Sequence, residues 1–220
     1  MIKGVIFDVD GTILNSMPMW EKVDEIYLQS LGVEPEPGLS EKLFTMSLTE
    51  GAEYLIAKYH LNQTVEDIIA GIEEQVMEFY EERVPLKNGV REYLMEFHER
   101  KLPMMVATAG ERKMVEAAFK RLGIASLFEG IMTCTEMGVD KRSPDVFLGA
   151  ALQMDLEPSE VLVFEDAYHA IQTAKKAGFS VVAVYDKSSD NNLKKIWEAA
   201  DIYLPEFADF EIFWRRVSRL

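Results

Sequence analysis

The sequence contains a single cysteine, Cys134, among its 220 residues, and it has no long apolar run. One cysteine excludes an internal disulfide and is typical of a protein in a reducing compartment, so we expect a cytoplasmic location. No stretch is long enough to cross a bilayer. Residues 1–4 lead directly into a predicted strand, which leaves no room for a signal peptide. These absences predict a soluble protein that does not act at a membrane.

Basic residues are also few. Lysine and arginine number 23 against 38 aspartate and glutamate, which gives a formal net charge of -15 and a pI of about 4.7. Nucleic-acid binding is disfavoured, because such proteins carry basic surfaces that neutralise phosphates. The same charge disfavours binding to anionic membranes. If the substrate is anionic, local cations or a metal ion must attract it against the overall field.

Apolar segments that predict strands alternate with segments of helical periodicity over most of the chain. The predicted strands are residues 2–8, 104–107, 131–133, 161–164 and 181–184. The predicted helices between and after them are residues 111–122, 145–154, 167–177, 193–199 and 207–217. Strands of mostly apolar character that alternate with helices predict a parallel sheet covered on both faces. The fold class is therefore α/β, with a Rossmann-like parallel sheet.

A purely helical block interrupts this alternation after the first strand. Helical periodicity runs from about residue 18 to residue 82, with Thr64 as a predicted N-cap, and Pro85 ends the block. We interpret the block as an inserted helical cap domain over residues 15–85. The α/β core domain, predicted to be catalytic, is then discontinuous and comprises residues 1–14 and 86–220.

Two carboxylates stand at the end of the first predicted strand, in the sequence Asp8-Val9-Asp10-Gly11-Thr12. Residues two apart in a strand point to the same side, so Asp8 and Asp10 project together. Two carboxylates this close repel each other unless a cation or a proton lies between them. The pair alone also fits a solvated turn after an edge strand, so the other strand ends must decide between the two interpretations.

Each of the other strand ends adds a group suited to a phosphoryl ester. The second strand ends in Thr108 and Ala109, where a hydroxyl and backbone N–H groups near a helix start can bind phosphate. The third leads to Lys141, a positive charge for the same group. The fourth ends in Glu165 and Asp166. Several carboxylates at one edge of a sheet predict a hard divalent cation, with Mg²⁺ favoured.

These four segments resemble the motifs of the haloacid dehalogenase superfamily. They read Phe7-Asp8-Val9-Asp10-Gly11-Thr12, Val106-Ala107-Thr108-Ala109, Lys141-Arg142-Ser143-Pro144-Asp145-Val146-Phe147 and Val163-Phe164-Glu165-Asp166. The resemblance covers nearly the whole core. The helical insert is similar to the type-1 cap of the subfamily that contains β-phosphoglucomutase, phosphoglycolate phosphatase and many sugar-phosphate phosphatases.

The resemblance implies a role for each residue of the reaction. Asp8 would be the nucleophile and form an aspartyl-phosphate. Asp10 would protonate the leaving oxygen and then activate water. Thr108, the Ala109 N–H and Lys141 would bind the transferring phosphoryl group, in a reaction that depends mostly on positioning and charge neutralisation.

The resemblance also implies a magnesium site. The ligands would be the Asp8 carboxylate, the Asp10 backbone carbonyl and Asp166, with Glu165 a further ligand or a neighbour of the ligands. Because an aspartate stands at position 10, the motif disfavours dehalogenase and phosphonatase members, which lack one there.

Three functions stay open at this point. The first is a Mg²⁺-dependent phosphatase for a small phosphorylated metabolite, with a sugar phosphate favoured. An isomerase of the β-phosphoglucomutase type is less favoured, because residues 4–82 contain no arginine to grip a second phosphate. The third is a phosphometabolite-binding protein without activity. Phe44, Met46 and Ser47 are candidates for a specificity segment or for ordinary cap packing, and the sequence does not indicate an oligomeric state.

Overall fold

The computed structural model describes residues 1–43 and 46–220, apart from the side chain of Glu41. The chain divides into two compact units, one of Met1–Met17 with Val84–Leu220 and one of Pro18–Arg83. The predicted boundaries between the two units lie after residues 14 and 85, and the observed boundaries lie after residues 17 and 83. The assignment of catalytic core and cap to these units stays a prediction.

The discontinuous unit is built on one six-stranded sheet in which every pair of neighbouring strands is parallel. The strands are β1 (Gly4–Phe7), β2 (Met104–Thr108), β3 (Gly130–Thr133), β4 (Val161–Glu165), β5 (Ser180–Val184) and β6 (Ile202–Leu204). Their order is β3-β2-β1-β4-β5-β6. The predicted α/β fold with a Rossmann-like parallel sheet is confirmed.

Helices account for most of the remaining described residues. The α-helices are α1 (Met17–Trp20), α2 (Val23–Ser30), α3 (Leu39–Leu43), α4 (Leu48–Tyr59), α5 (Val65–Glu78), α6 (Val90–Glu99), α7 (Arg112–Leu122), α8 (Cys134–Met137), α9 (Asp145–Gln153), α10 (Tyr168–Lys176), α11 (Leu193–Ala199) and α12 (Phe210–Val217). A π-helical turn, Phe79–Arg83, follows α5, and 3₁₀ turns span Ala125–Leu127, Pro158–Glu160 and Lys187–Asn192.

The position of β1 in the middle of the sheet follows from its sequence, because all four of its residues are apolar or glycine and are fully buried. Successive side chains alternate between the two faces of the sheet. Ile6 packs with Val163 in the core beneath α9 and α10. Phe7 stacks on Phe164 on the other face, with ring centroids 4.6 Å apart, and Phe97 of α6 packs edge-on against it. Both faces of the central strand are therefore covered.

The second unit, Pro18–Arg83, has its own small apolar core from α2 to α5. The predicted N-cap at Thr64 is confirmed, because its hydroxyl accepts a hydrogen bond from the Asp67 N–H at 3.2 Å and the Asp67 carboxylate bonds back to the Thr64 N–H. Of the specificity candidates, Met46 packs against this core and Ser47 caps α4, whereas Phe44 lies outside the described residues.

The structure corrects some predicted elements. The strand predicted over residues 2–8 is shorter, Gly4–Phe7, because its neighbours pair with it only over these residues. The C-terminal helix begins at Phe210 and not at 207, since Asp209 caps it. The sequence does not predict the strand β6, because three residues are too few to show an alternating apolar pattern. None of the helices in the described part of the chain combines the length and the apolar character that a bilayer crossing requires.

Candidate active site

The predicted site residues lie at the carboxyl ends of three neighbouring strands. Asp8 directly follows β1, Thr108 ends β2, and Glu165 and Asp166 come at and just after the end of β4. Because β1 lies between β2 and β4, the chain leaves β1 at the point where the strand order reverses. In open α/β sheets this is where ligands bind.

A group of three buried carboxylates forms the centre of the site. One oxygen each of Asp8, Glu165 and Asp166 lies within 4.8 Å of the others, and all three side chains are buried. Burial and the nearby Asp8 charge raise the pKa of Glu165 well above its usual range and raise the pKa of Asp166 to about 7. Three buried carboxylates whose oxygens lie this close together are suited to a divalent cation bound through oxygen atoms, so these residues fit the predicted metal.

Lys141 reaches this group from the loop between α8 and α9. Its ammonium group donates to the Asp8 carboxylate and to Glu165 Oε1, the latter at 3.2 Å, and its side chain is only 6% exposed. Burial alone lowers the pKa of Lys141, but the charges of Asp8 and Glu165 outweigh it and raise the pKa above its usual range. Lys141 is therefore charged and partly neutralises the carboxylates.

The Asp10 side chain lies outside the group of three carboxylates and faces the end of β2. Ser16 donates its hydroxyl to Asp10 Oδ1 at 2.6 Å. A Cβ placed on Gly110 would stand 3.2 Å from Asp10 Oδ2 and 3.3 Å from the Thr108 hydroxyl oxygen, so these two oxygens flank the same small space. Asp10 is therefore not one of the three carboxylates whose side-chain oxygens lie close enough together to share a cation.

The segment after β2 presents the predicted phosphate-binding groups. Thr108 is buried and its hydroxyl accepts a hydrogen bond from the Gly110 N–H at 3.0 Å. Ala109 is exposed, and α7 starts two residues after Gly110 with no side-chain cap from Glu111. A short turn at the start of a helix is a place where backbone N–H groups bind anions.

Gly11 is required by the close packing of the site. It has a φ of +80°, and a Cβ at this position would lie 2.6 Å from Asp166 Oδ2. Thr12 donates its hydroxyl to Asp166 Oδ1 at 3.4 Å. The turn after Asp10 therefore lies directly against one of the candidate metal ligands, and a larger residue would displace it.

Sequence reasoning missed three residues that support the site. Ser16 holds the Asp10 carboxylate, and Lys87 and Asp186 form an ion pair of 2.9 Å beside Gly11. Ser16 lies 6 residues after Asp10, and a serine at that position is only a weak sequence signal for a side chain that contacts the site. Nothing in the local sequence of Lys87 or Asp186 marks them, because their role depends on contacts with residues 76 and 99 positions away from Lys87.

Comparison with known proteins agrees with this geometry. A model of the family described as haloacid dehalogenase-like hydrolase matches residues 5–184. The fructose-1-phosphate phosphatase YqaB of Escherichia coli is 30% identical over 197 residues, which cover 82% of this chain and 95% of the relative. Hexitol phosphatase B of the same organism is 22% identical, with 94% of each chain covered.

A solved structure, described as a putative β-phosphoglucomutase from Thermotoga maritima, superposes with a TM-score of 0.85 at 21% identity and covers 98% of this chain and 100% of its own. At this identity the likeness shows the fold. The match of the family model over most of the chain confirms the resemblance inferred from the four motifs: the chain belongs to the family of haloacid dehalogenase-like hydrolases.

Proposed function

We propose that this protein is a Mg²⁺-dependent phosphatase that hydrolyses a small phosphorylated metabolite, a sugar or polyol phosphate, through an aspartyl-phosphate on Asp8. The observation that carries the proposal is the buried group at the end of β1, in which the Asp8 carboxylate contacts Lys141 beside Glu165 and Asp166. The enzyme class, a phosphoric monoester hydrolase, follows from the family and its relatives, which are named phosphatases.

Residues of this chain account for both halves of the reaction. A carboxylate oxygen of Asp8 attacks phosphorus, the Asp8–phosphorus bond forms, and the bond from phosphorus to the leaving oxygen breaks. Asp10 gives its proton to that oxygen. In the second half Asp10 takes a proton from water, the water attacks phosphorus, and the Asp8–phosphorus bond breaks to release phosphate.

Positive charge and hydrogen bonds serve the transferring group. In this proposal Lys141, the Thr108 hydroxyl and the Ala109 N–H bind the phosphoryl oxygens, which is supported by the contact of Lys141 with Asp8 and by the turn that holds the Thr108 hydroxyl. Mg²⁺, held by Asp8, Asp166 and the Asp10 backbone carbonyl with Glu165 beside them, would supply further charge neutralisation at the phosphoryl group. The protein's net charge of -15 makes these local cations necessary for an anionic substrate.

The substrate class is supported by what the relatives are named for. They include a fructose-1-phosphate phosphatase, a phosphatase of phosphorylated carbohydrates from Thermotoga maritima and a hexitol phosphatase. Phosphorylated sugars and polyols are therefore the first substrates to examine for this chain.

The test is phosphate release from a panel of sugar, polyol, nucleotide and short-acid phosphates, with Mg²⁺ or with EDTA. We expect release from sugar or polyol phosphates with Mg²⁺ and none with EDTA. Asp8→Asn should lose at least about a thousandfold in kcat, because the nucleophile is gone. Glu206→Gln, an exposed acidic residue in the same unit, is the matched control and should behave as wild type.

Turnover by Asp8→Asn at the wild-type rate would refute the proposal. The isomerase alternative is tested in a separate assay, in which β-glucose 1-phosphate is supplied and the product is identified. A phosphatase releases free glucose, whereas an isomerase forms glucose 6-phosphate without net phosphate release.

A further inference from the structure

Lys87 is a half-buried lysine whose ammonium group has three protein acceptors. It donates to the Gly11 carbonyl at 2.6 Å, to the Tyr185 carbonyl at 2.6 Å and to Asp186 Oδ2 at 2.9 Å. Its side chain is 16% exposed and that of Asp186 is 6% exposed. An ammonium group has three protons, so these partners satisfy it fully.

The acceptors of Lys87 are themselves fixed. The other oxygen of Asp186 accepts from the Ser188 N–H at 3.0 Å and from the Ser188 hydroxyl at 2.7 Å. At the backbone of Lys87, its N–H donates to the Ile13 carbonyl at 2.9 Å, next to a bridge between Leu14 and Leu86. Lys87 therefore links three chain segments, 11–14, 86–87 and 185–188, through hydrogen bonds.

One of these segments is part of the candidate active site. Gly11 follows Asp10, and its N–H also donates to the Leu14 carbonyl at 3.0 Å, so both polar groups of its backbone are held. The same turn also lies against Asp166. Its Oδ2 leaves no room for a Cβ on Gly11, and the hydroxyl of Thr12 donates to its Oδ1. The turn is thus hydrogen-bonded to Lys87 through the Gly11 carbonyl and is in contact with a candidate metal ligand, Asp166.

We propose that Lys87 is a positioning residue for the reaction, which holds the Asp10–Thr12 turn so that the Asp10 carbonyl and Asp166 stay in place for the metal and the Asp10 carboxylate for proton transfer. The inference rests on the proposed function. Stability alone is a weak reason for this arrangement, because a buried ion pair is often replaced by apolar residues without loss. Groups that orient metal ligands, in contrast, commonly change metal affinity or activity by about tenfold or more when removed.

The experiment compares two variants that differ only in Lys87. Asp186→Asn keeps the bonds from Lys87 to the Gly11 and Tyr185 carbonyls, whereas Lys87→Met combined with Asp186→Asn removes them and leaves no unpaired buried charge. Lys175→Met, which breaks a lysine–aspartate pair between Lys175 and Asp201 away from the Gly11 turn, is the matched control. Circular dichroism and cooperative thermal unfolding identify the variants that fold.

Two quantities are measured on the folded variants. The first is the dissociation constant of Mg²⁺, from the rise in melting temperature or from calorimetry without substrate. The second is kcat and KM with 4-nitrophenyl phosphate. Relative to Asp186→Asn, we expect the double variant to bind Mg²⁺ about tenfold more weakly and to lose about tenfold in kcat, with KM changed by less than about twofold.

A folded double variant with the Mg²⁺ affinity and kcat of Asp186→Asn would overturn the role of Lys87. The Mg²⁺ dissociation constant is measured without turnover, so it tests the positioning role of Lys87 even if the wild-type protein releases no phosphate from any substrate. In that event the proposed function fails and the positioning of the metal ligands is still decided. If the double variant does not fold, Lys87→Gln combined with Asp186→Asn replaces it. Because this side chain is uncharged and one atom shorter, we expect it to bind Mg²⁺ more weakly than Asp186→Asn, and an affinity equal to that of Asp186→Asn would overturn the inference.

Discussion

Replacement of Lys141 by methionine removes a positive charge that contacts the carboxylates of Asp8 and Glu165 and keeps an unbranched side chain of similar length. In the folded protein the ammonium group bonds Asp8 and Glu165 and is 6% exposed. Without it, three buried carboxylates face one another when no metal is bound. Removal of one partner of a buried ion pair destabilises a protein by about 3–5 kcal/mol.

Protonation sets a limit to that loss. Instead of leaving a further buried charge unpaired, Glu165 and Asp166 together can bind one proton more than they do in the wild type. To hold a carboxyl with an ordinary pKa of about 4.3 protonated at pH 7.5 requires about 4.4 kcal/mol. We therefore expect Lys141→Met to lower the free energy of unfolding by about 4 kcal/mol at pH 7.5 in EDTA. The folded variant then binds one proton more than the folded wild type, so the difference between them shrinks by about 1.4 kcal/mol per pH unit as the pH falls, from about 4.4 kcal/mol at pH 7.5 to about 1.6 kcal/mol at pH 5.5.

Urea unfolding at pH 5.5 and at pH 7.5, each with EDTA and with Mg²⁺, measures these quantities. Mg²⁺ should reduce the difference from wild type at pH 7.5, because the cation supplies the missing positive charge. Lys175→Met, in which a lysine that is 33% exposed loses its pairing with Asp201, should stay within about 1 kcal/mol of wild type at both pH values.

A loss below about 1 kcal/mol at pH 7.5 in EDTA would refute the reasoning, as would a loss of about 4 kcal/mol that does not change with pH. The first result would mean that Asp8, Glu165 and Asp166 do not repel one another in the folded protein. The second would mean that Lys141 stabilises the fold through packing and not through its charge.

Three further predictions follow from single contacts. Gly89 has a φ of +80°, and a Cβ there would lie 1.9 Å from the Phe207 carbonyl oxygen, so Gly89→Ala should destabilise the protein by about 2–4 kcal/mol in urea unfolding. The control Gly123→Ala, at a φ of +67° in open space, should cost about 1 kcal/mol. Equal losses would show that the backbone moves and removes the clash with Phe207. Burial and the Asp8 charge raise the pKa of Asp166 to about 7, so the metal-free wild type binds a proton that its unfolded chain lacks and loses stability as the pH rises from about 5 to 7.5. Because Mg²⁺ binds the ionised carboxylate, it should raise the melting temperature more at pH 7.5 than at pH 5. An equal rise at both pH values would contradict this prediction. Ser16→Ala removes the 2.6 Å bond to Asp10 and should lower kcat about tenfold with little change in KM, in steady-state kinetics over a range of pH; an unchanged pH profile and kcat would show that Ser16 does not orient Asp10.

The parts of the site that local sequence predicts are those at the ends of apolar strands. Asp8, Thr108 and Glu165 each stand at the end of such a run, and the parallel sheet brings the carboxyl ends of neighbouring runs to one edge. Their proximity therefore follows once an α/β fold is inferred. Lys141 is different, because it lies beyond the short helix α8, and only its motif indicates that it turns back to Asp8.

The residues that local sequence cannot predict depend on contacts distant in the chain. Lys87 contacts Gly11 and Asp186 only because its segment pairs with residues 13–14 and because β5 ends nearby. The strand order of the sheet has the same origin, since periodicity gives strands but not their neighbours. The edge strand β6 has three residues, too few for an alternating pattern, and its place beside β5 decides its structure.

Detection of the aspartyl-phosphate is the most direct test of the proposal that Asp8 is the nucleophile. In Asp10→Asn, 4-nitrophenyl phosphate can still transfer its phosphoryl group, because its leaving group needs no proton, whereas hydrolysis of the intermediate lacks its general base. Rapid quenching and mass spectrometry should find one phosphoryl group per protein, on the peptide that contains Asp8, with an equal burst of 4-nitrophenol. A phosphoryl group on another residue, or steady nitrophenol release with no phosphorylated protein, would contradict Asp8 as the nucleophile.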